Sequence, residues 1–287
     1  MESSSDLYVQ SLCKSYGVRR KIPALLNVSL SVAHGKCAAL VGKNGAGKTT
    51  LLRILGGTLS RYKGKFELTG RVGFCPEVST YFPYMDATEN VEYFLKIVGS
   101  KTSTSALLKE LSLVSRKQLA GTFSKGMKRK LDIARSLSVG AGIILMDEPF
   151  DGLDPSASYD LAQIINRLKN QGITFLLSSH DLYRVADVAD SVFFMDSGRI
   201  VEEFSMSSGL RFLLKVEGDS TLSVNVLNGL GCNILENAGK EIHFDLPSGT
   251  MPWNIIGELI KAGVKIIEFS EQRLDSEYRR VLVGNGN

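Results

Sequence analysis

The chain has 287 residues, 44% of them hydrophobic and 22% charged, with a formal net charge of +4. That balance is ordinary for a globular protein, gives no argument for a nucleic-acid partner, and includes no apolar run near the roughly 18 residues needed to span a bilayer. The start, Met1-Glu2-Ser3-Ser4-Ser5-Asp6, lacks the basic opening and apolar core of a signal peptide, and Cys13, Cys37, Cys75 and Cys232 have no metal-ligand spacing. Together these features predict a cytoplasmic chain with reduced thiols.

In chain order, short aliphatic and β-branched runs predict strands at Leu7–Cys13, Val28–Val32 and Lys36–Val41, then a helix at Lys48–Leu55, then strands at Lys65–Leu68 and Val72–Phe74. Residues from about 77 to 124 offer no convincing strand and read as a helical insertion, with helices at Ala87–Val98, Thr104–Leu111 and Lys125–Leu137. Strands at Ile143–Asp147, Ile173–Leu177, Val192–Met195 and Ile200–Phe204 follow, alternating with helices at Ser156–Lys169 and Leu182–Ala189. Such alternation implies an α/β fold with a mainly parallel sheet, and the quick succession of the first strands adds an antiparallel edge. The small, polar stretch 205–209 reads as a linker. Beyond it, a strand at Leu210–Val216, a helix at Leu222–Leu230, a hairpin of Cys232–Glu236 and Glu241–Phe244, a helix at Trp253–Ala262 and a strand at Val264–Phe269 give the order β-α-β-β-α-β. That order predicts a small α+β, ferredoxin-like accessory domain at 210–287 with no catalytic constellation.

The chemistry concentrates in the first two hundred residues. Gly42-Lys43-Asn44-Gly45-Ala46-Gly47-Lys48-Thr49-Thr50 has the spacing G-x-x-x-x-G-K-[ST] between a strand and a helix. Its glycines let backbone N–H groups converge on phosphate; Lys48 can reach the β and γ phosphates, and the Thr49 hydroxyl is placed for Mg²⁺. The apolar run Ile143-Ile144-Leu145-Met146 ends in Asp147-Glu148, which puts two carboxylates at the carboxyl end of a buried strand, where ligands bind in open α/β sheets. Asp147 is the expected Mg²⁺ partner of Thr49, and Glu148 the group that polarises the attacking water. His180 follows another buried strand, in position to contact the γ-phosphate. Ser124 and Gly126 open a helix with apolar positions Leu131, Ala134 and Leu137; a hydroxyl, an N–H and a helix N-terminus suit a phosphate, although an ordinary N-cap would look the same.

In this combination the residues resemble the nucleotide-binding subunit of an ABC transporter over roughly residues 6–204, because six motifs stand in that family's order. Tyr16 matches the aromatic residue on which adenine stacks, and Gly42–Thr50 the phosphate loop. Phe123-Ser124-Lys125-Gly126-Met127 is similar to the family signature LSGGQ, with Lys125 and Met127 as departures. Asp147 and Glu148 match the Mg²⁺-associated aspartate and the catalytic glutamate. Gly152-Leu153-Asp154-Pro155 resembles the loop that contacts a partner subunit, and His180 the switch histidine. Glu77 stands where most relatives have a glutamine that senses Mg²⁺, and the Pro76-Glu77 pair resembles the bacterial export-type subunits.

The resemblance implies an ABC ATPase domain at 1–204, of P-loop NTPase fold, with a helical subdomain at about 77–140. It implies ATP and Mg²⁺ as cofactors, Lys48, Glu148 and His180 as catalytic residues, and Thr49, Asp147 and Glu77 at the metal. It also implies a head-to-tail homodimer in which Ser124, Gly126 and Asp154 meet nucleotide held by the other copy. A separate transmembrane permease would place the chain on the inner face of the cell membrane and select the cargo, with export as the direction. Exposed Tyr81, Phe82, Tyr84 and Met85 would form the permease docking surface or, alternatively, a small subcore. The alternative function is a soluble ABC-type ATPase acting on a non-transport complex, but the single phosphate loop and lack of sustained heptads count against it.

Overall fold

The computed structural model describes residues 5–17, 21–113, 117–180, 182–205, 211–247, 250 and 252–271. The chain divides into two compact units, Met1–Phe204 and Ser205–Asn287. The predicted linker beyond Ser205, and Leu210 at the start of a predicted strand, lie outside the described residues.

The first unit opens with β1 (Ser5–Tyr16) and β2 (Ile22–Ala33), paired antiparallel, with β4 (Lys63–Leu68) on the other side of β1. Leu7 and Val9 point into the core while Tyr8 and Gln10 point out, the period-two pattern of a half-buried strand. The alternation slips where Ser11 and Asn27 take left-handed backbone, with φ of 52° and 59°. Bulges there let both strands run to 12 residues, well past the predicted ends. Pro23 is accommodated because β2 lies at the edge of the sheet. The predicted antiparallel edge thus takes the form of a separate three-stranded sheet.

The second sheet has six strands in the order β5-β6-β7-β3-β8-β9. These are β3 (Cys37–Val41), β5 (Val72–Cys75), β6 (Ile143–Met146), β7 (Thr174–Ser179), β8 (Ser191–Asp196) and β9 (Arg199–Ser205). The first five in that spatial order are parallel. β3, β6 and β7 are buried along their whole length, as the continuous apolar runs of a covered parallel sheet require. β9 returns from β8 through Ser197-Gly198, both at positive φ (47° and 82°), the backbone a two-residue hairpin demands.

Helix α1 (Lys48–Leu55) links the two sheets. Its Leu51, Leu52, Ile54 and Leu55 share one core cluster with Leu7 and Leu12 of the first sheet and Leu40 and Leu176 of the second. Each such leucine contributes about 1.5–3 kcal/mol by leaving water. Between β5 and β6 the described residues form α2 (Ala87–Val98), α3 (Thr104–Glu110) and α4 (Lys125–Ser138), with no strand. α2 begins with a reciprocal Asp86–Glu89 capping box and stops at Gly99, whose φ of 63° suits a residue without a Cβ. α5 (Pro155–Asn170) and α6 (Leu182–Ala186) complete the unit.

The second unit runs β10 (Arg211–Val216), α7 (Thr221–Gly229), β11 (Asn233–Asn237), β12 (Glu241–Asp245), α8 (Pro252–Lys261) and β13 (Ile266–Glu271). Its strands lie in the order β11-β12-β10-β13, every neighbour antiparallel, which is the ferredoxin-like arrangement. Phe212, Leu214, Leu227, Ile242, Phe244, Ile255 and Leu259 fill its core.

Candidate active site

Because β3, β5, β6 and β7 are parallel, their carboxyl ends open on one edge of the sheet, and the loops that follow them meet there. They deliver the phosphate loop, Pro76-Glu77, Asp147-Glu148 and His180. These loops border a cleft of about 710 Å³ lined by Tyr16, Asn44–Thr50, Glu77, Glu148, Asp151 and His180.

The phosphate loop is shaped from beneath. A Cβ on Gly42 would collide with the Met195 carbonyl oxygen, and one on Gly47 with that of Ala24. Gly45 and Gly47 have φ of 86° and 107°, positions that exact no steric cost only from glycine. The Gly198 N–H at the β8–β9 turn donates to the Ala46 carbonyl at 3.0 Å, and the Leu26 N–H donates to Gly198 O at 2.7 Å. Lys48 Nζ, 6% exposed, donates to the carbonyls of Gly42 (2.6 Å) and Lys43 (3.3 Å) and lies 3.5 Å from Glu148 Oε1. The loop thus has its turn and its buried cation in place.

A chain of polar contacts joins the loop to the next two strands. Thr49 Oγ1 donates to Asp147 Oδ1 at 3.1 Å, and Ser178 Oγ donates to the same oxygen at 2.6 Å. The Ser178 hydroxyl also accepts from the Glu148 N–H at 2.9 Å. Glu148 Oε2 accepts from the His180 N–H at 3.3 Å and lies 2.9 Å from His180 Nδ1. Glu148 itself sits at φ 46°, a left-handed backbone that costs a non-glycine residue on the order of 1–2 kcal/mol. Its surroundings hold it there, since strained backbone persists only where neighbours over-determine it.

Tyr16, 41% exposed, borders the cleft, and its hydroxyl lies 3.3 Å from Thr50 Oγ1. Gly42, Lys43 and Asp147 do not join the cleft lining. Ser124, Gly126 and Asp154 are outside that lining too. Ser124 caps α4, accepting from the Met127 N–H at 3.2 Å, and Asp154 caps α5, accepting from the Ala157 N–H at 2.9 Å. Gly126 is buried, and a Cβ there would press on Ala157 at 3.1 Å. Lys125 is exposed and pairs with Asp151 at 3.0 Å; that hydrogen bond holds the Asp151 carboxyl below its usual range.

In the insertion, Tyr84 is 87% and Val78 79% exposed, whereas Phe82 lies 4.8 Å, edge to face, from Tyr93. Tyr81 and Met85 are half-buried. The aromatic stretch therefore divides between a local packing cluster and a free surface.

Three groups that border or hold this cleft escape a reading of the sequence. Ser178 closes an apolar strand and shows its importance only through Asp147 and Glu148. Asp151 joins the cleft by following the Glu148 turn. Arg129, inside the basic run Lys128-Arg129-Lys130, is 1% exposed and donates to three backbone carbonyls. No local signal separates it from its two lysine neighbours.

The family model described as ABC transporter matches residues 25–151. The lantibiotic transport ATP-binding protein SrtF of Streptococcus pyogenes is 36% identical over 208 residues, covering 69% of this chain and 90% of that protein. The uncharacterized ABC transporter ATP-binding protein YxlF of Bacillus subtilis is 28% identical over 301 residues, covering 96% of this chain and 99% of its own. A solved ATP-binding cassette of an ABC transporter, in its ADP conformation, aligns with a TM-score of 0.61 and 25% identity over 70% of this chain and 91% of that one. The fold is that of the P-loop ATPase cassettes, and the chain belongs to the family of ABC transporter ATP-binding proteins.

Proposed function

We propose that the chain binds and hydrolyses ATP and that, paired head to tail with a second copy, it drives transport, in the export direction, by a separate membrane permease. The observation that carries this reading is the continuous contact path Lys48–Glu148–His180 beside Thr49–Asp147–Ser178, all at the carboxyl edge of one parallel sheet. Gly42–Thr50 cradles the phosphates, Lys48 neutralises them, and Tyr16 offers its exposed ring to the base. Glu148 takes a proton from the attacking water, while His180 orients that carboxylate and reaches toward the γ-phosphate.

Thr49 and Asp147 fit Mg²⁺ because both present hard oxygens, 3.1 Å apart, beside a phosphate site. Glu77, which lines the same cleft, would face it. Among the described residues no cluster of three or more His, Cys, Asp or Glu could hold an ion alone, and Mg²⁺ needs none when phosphates complete its shell. When bound, the ion would offset the charge that develops on the phosphoryl oxygens.

Ser124 and Gly126 stand outside their own chain's cleft, which suits a role toward nucleotide on a second copy, with Asp154 nearby in the joint. No helix among the described residues is long and apolar enough to cross a membrane. This reading gives that task to the permease and gives its docking to the exposed side of the insertion at Val78 and Tyr84. Lantibiotic transport is what the name of the streptococcal relative states of that protein; a related cargo is the natural starting point here.

The deciding experiment is Glu148→Gln. Nucleotide binding is retained while hydrolysis falls by about two orders of magnitude or more, the scale of a lost positioned base. Turnover equal to the parent chain would remove Glu148 from the mechanism. A second measurement addresses pairing: Ser124→Ala weakens ATP-driven dimerisation more than ATP binding to the monomer, and equal loss of both would move the shared site elsewhere.

A further inference from the structure

Arg129 is the largest fully buried side chain in the described residues, yet it is itself part of neither the phosphate loop nor the cleft lining. Its donors go to backbone on both flanks of the cleft. Nη1 donates to Pro76 O at 2.6 Å, and Nη2 donates to Glu77 O at 2.7 Å and to Glu148 O at 3.1 Å. The same face of α4 holds the rest of that loop. Asp132 lies 3.9 Å from Arg129 Nη1 and 3.6 Å from Arg135 Nη1, and Arg135 Nη1 donates to Thr80 Oγ1 at 3.1 Å.

We infer that Arg129 is a positioning residue: its guanidinium fastens the main chain of Glu148 to the main chain of Pro76-Glu77, so that both carboxylates bordering the cleft keep one arrangement. Three observations bear on this. Burying a guanidinium is costly unless its donors are used, and here both Nη groups, though not Nε, are used on carbonyls from two segments about seventy residues apart in sequence. Glu148 has strained backbone whose N–H and C=O are both held, the first by Ser178 and the second by Arg129. A guanidinium presents its donors in a rigid plane that can bridge two chains, whereas an ammonium presents them at one point.

A consequence is that the start of α4, which carries Ser124, the Glu77 loop and Glu148 form one mechanical unit. A shift of the insertion is felt at the base, and the reverse holds as well. The catalytic part of this inference rests on the proposed role of Glu148; the mechanical part does not.

The test uses Arg129→Lys and Arg129→Gln in the full chain, with hydrogen–deuterium exchange measured without nucleotide. Exchange of peptides covering 76–80 and 147–151 rises together, by about tenfold or more, while the rest of α4 keeps its protection. In the same variants kcat falls about 10- to 100-fold, as for a displaced catalytic group, and KM for ATP changes by less than about threefold. A rise in only one segment or in neither overturns the inference, as does an unchanged kcat. A residue that served stability alone would lower the melting temperature and raise exchange throughout the unit. Glu148→Gln, measured alongside, keeps the two readings apart: parent-like turnover there sinks the role of Glu148, whereas the nucleotide-free exchange result judges the link by itself.

Discussion

The two units use sheets of opposite design, and their chemistry differs accordingly. In the first, parallel strands β3, β5, β6 and β7 end on the same edge, so groups from residues 48, 77, 148 and 180 meet although they are far apart in sequence. In the second, every neighbouring pair is antiparallel, so loops alternate between the two edges and polar groups are dispersed. Its ion pairs, such as Lys215 with Glu241 at 3.0 Å on the sheet and Lys261 with Glu258 on α8, are open to solvent, where such pairs contribute little. Parallel strand ends gather reactive groups, and antiparallel ones scatter them.

The sharpest way to break this contrast is Lys48→Ala. Removing the buried cation lowers kcat by about 10²–10³-fold, the usual scale for loss of one electrostatic stabiliser, and leaves the melting of the second unit unchanged. A matching loss of stability in residues 211–271 would show that the units are not independent in function. The converse is Leu214→Ala, at the centre of the second core and 0% exposed. It costs about 2–5 kcal/mol in that unit, read by urea unfolding, while ATP turnover stays within about twofold. A large fall in turnover would give the second unit a share in the chemistry.

Ser178→Ala should act on the gathering edge alone. It leaves the Glu148 N–H without its partner and takes one of two donors from Asp147 Oδ1, at a cost of about 1–3 kcal/mol. Turnover drops about tenfold for each 1.4 kcal/mol of that cost borne by the transition state. Full activity with reduced stability would assign Ser178 to structure only.

The smallest effect is a pH slope confined to the first unit. Burial pushes the Asp132 carboxyl from its usual 3.8 up to about 6, against the opposing pull of Ser79, Arg129 and Arg135. A carboxyl whose folded value is raised adds stability below about pH 4 and surrenders it as pH climbs through about 6. The parent chain therefore loses stability relative to Asp132→Asn between about pH 4 and about 6, and the difference flattens above about pH 7. A slope of the opposite sign in paired thermal melts would reject the burial account.

Much of this was legible in the sequence, for identifiable reasons. The bounds of α1 and α2 were predicted to the residue because strand ends and caps flank them: Val41 and the glycines before α1, Asp86 and Gly99 around α2. The order β-α-β-β-α-β of the second unit followed from periodicity and turn residues, although β11 starts and ends one residue later than predicted. Pairing was not legible. Nothing local states that β3 lies between β7 and β8, or that β1 and β2 leave the central sheet for a sheet of their own. At the cleft, Lys48, Glu148 and His180 carry a motif signal in the sequence, whereas residues defined by a distant partner carry none. Ser178 is an ordinary end to an apolar strand until Asp147 and Glu148 are set beside it. Arg129 looks solvated until its three carbonyl acceptors come from two other segments.

The turn at Ser197-Gly198 has a thermodynamic consequence. By supporting Ala46 from below, it gives the phosphate loop its curvature before any ligand arrives. Ligand entry then exchanges water for phosphate on ready-made N–H groups, with little apolar surface closing over the loop. Since the heat capacity of binding follows apolar burial, phosphate-only ligands such as pyrophosphate should give nearly straight van 't Hoff plots, and any curvature seen with ATP reports on the base and its ring partner instead.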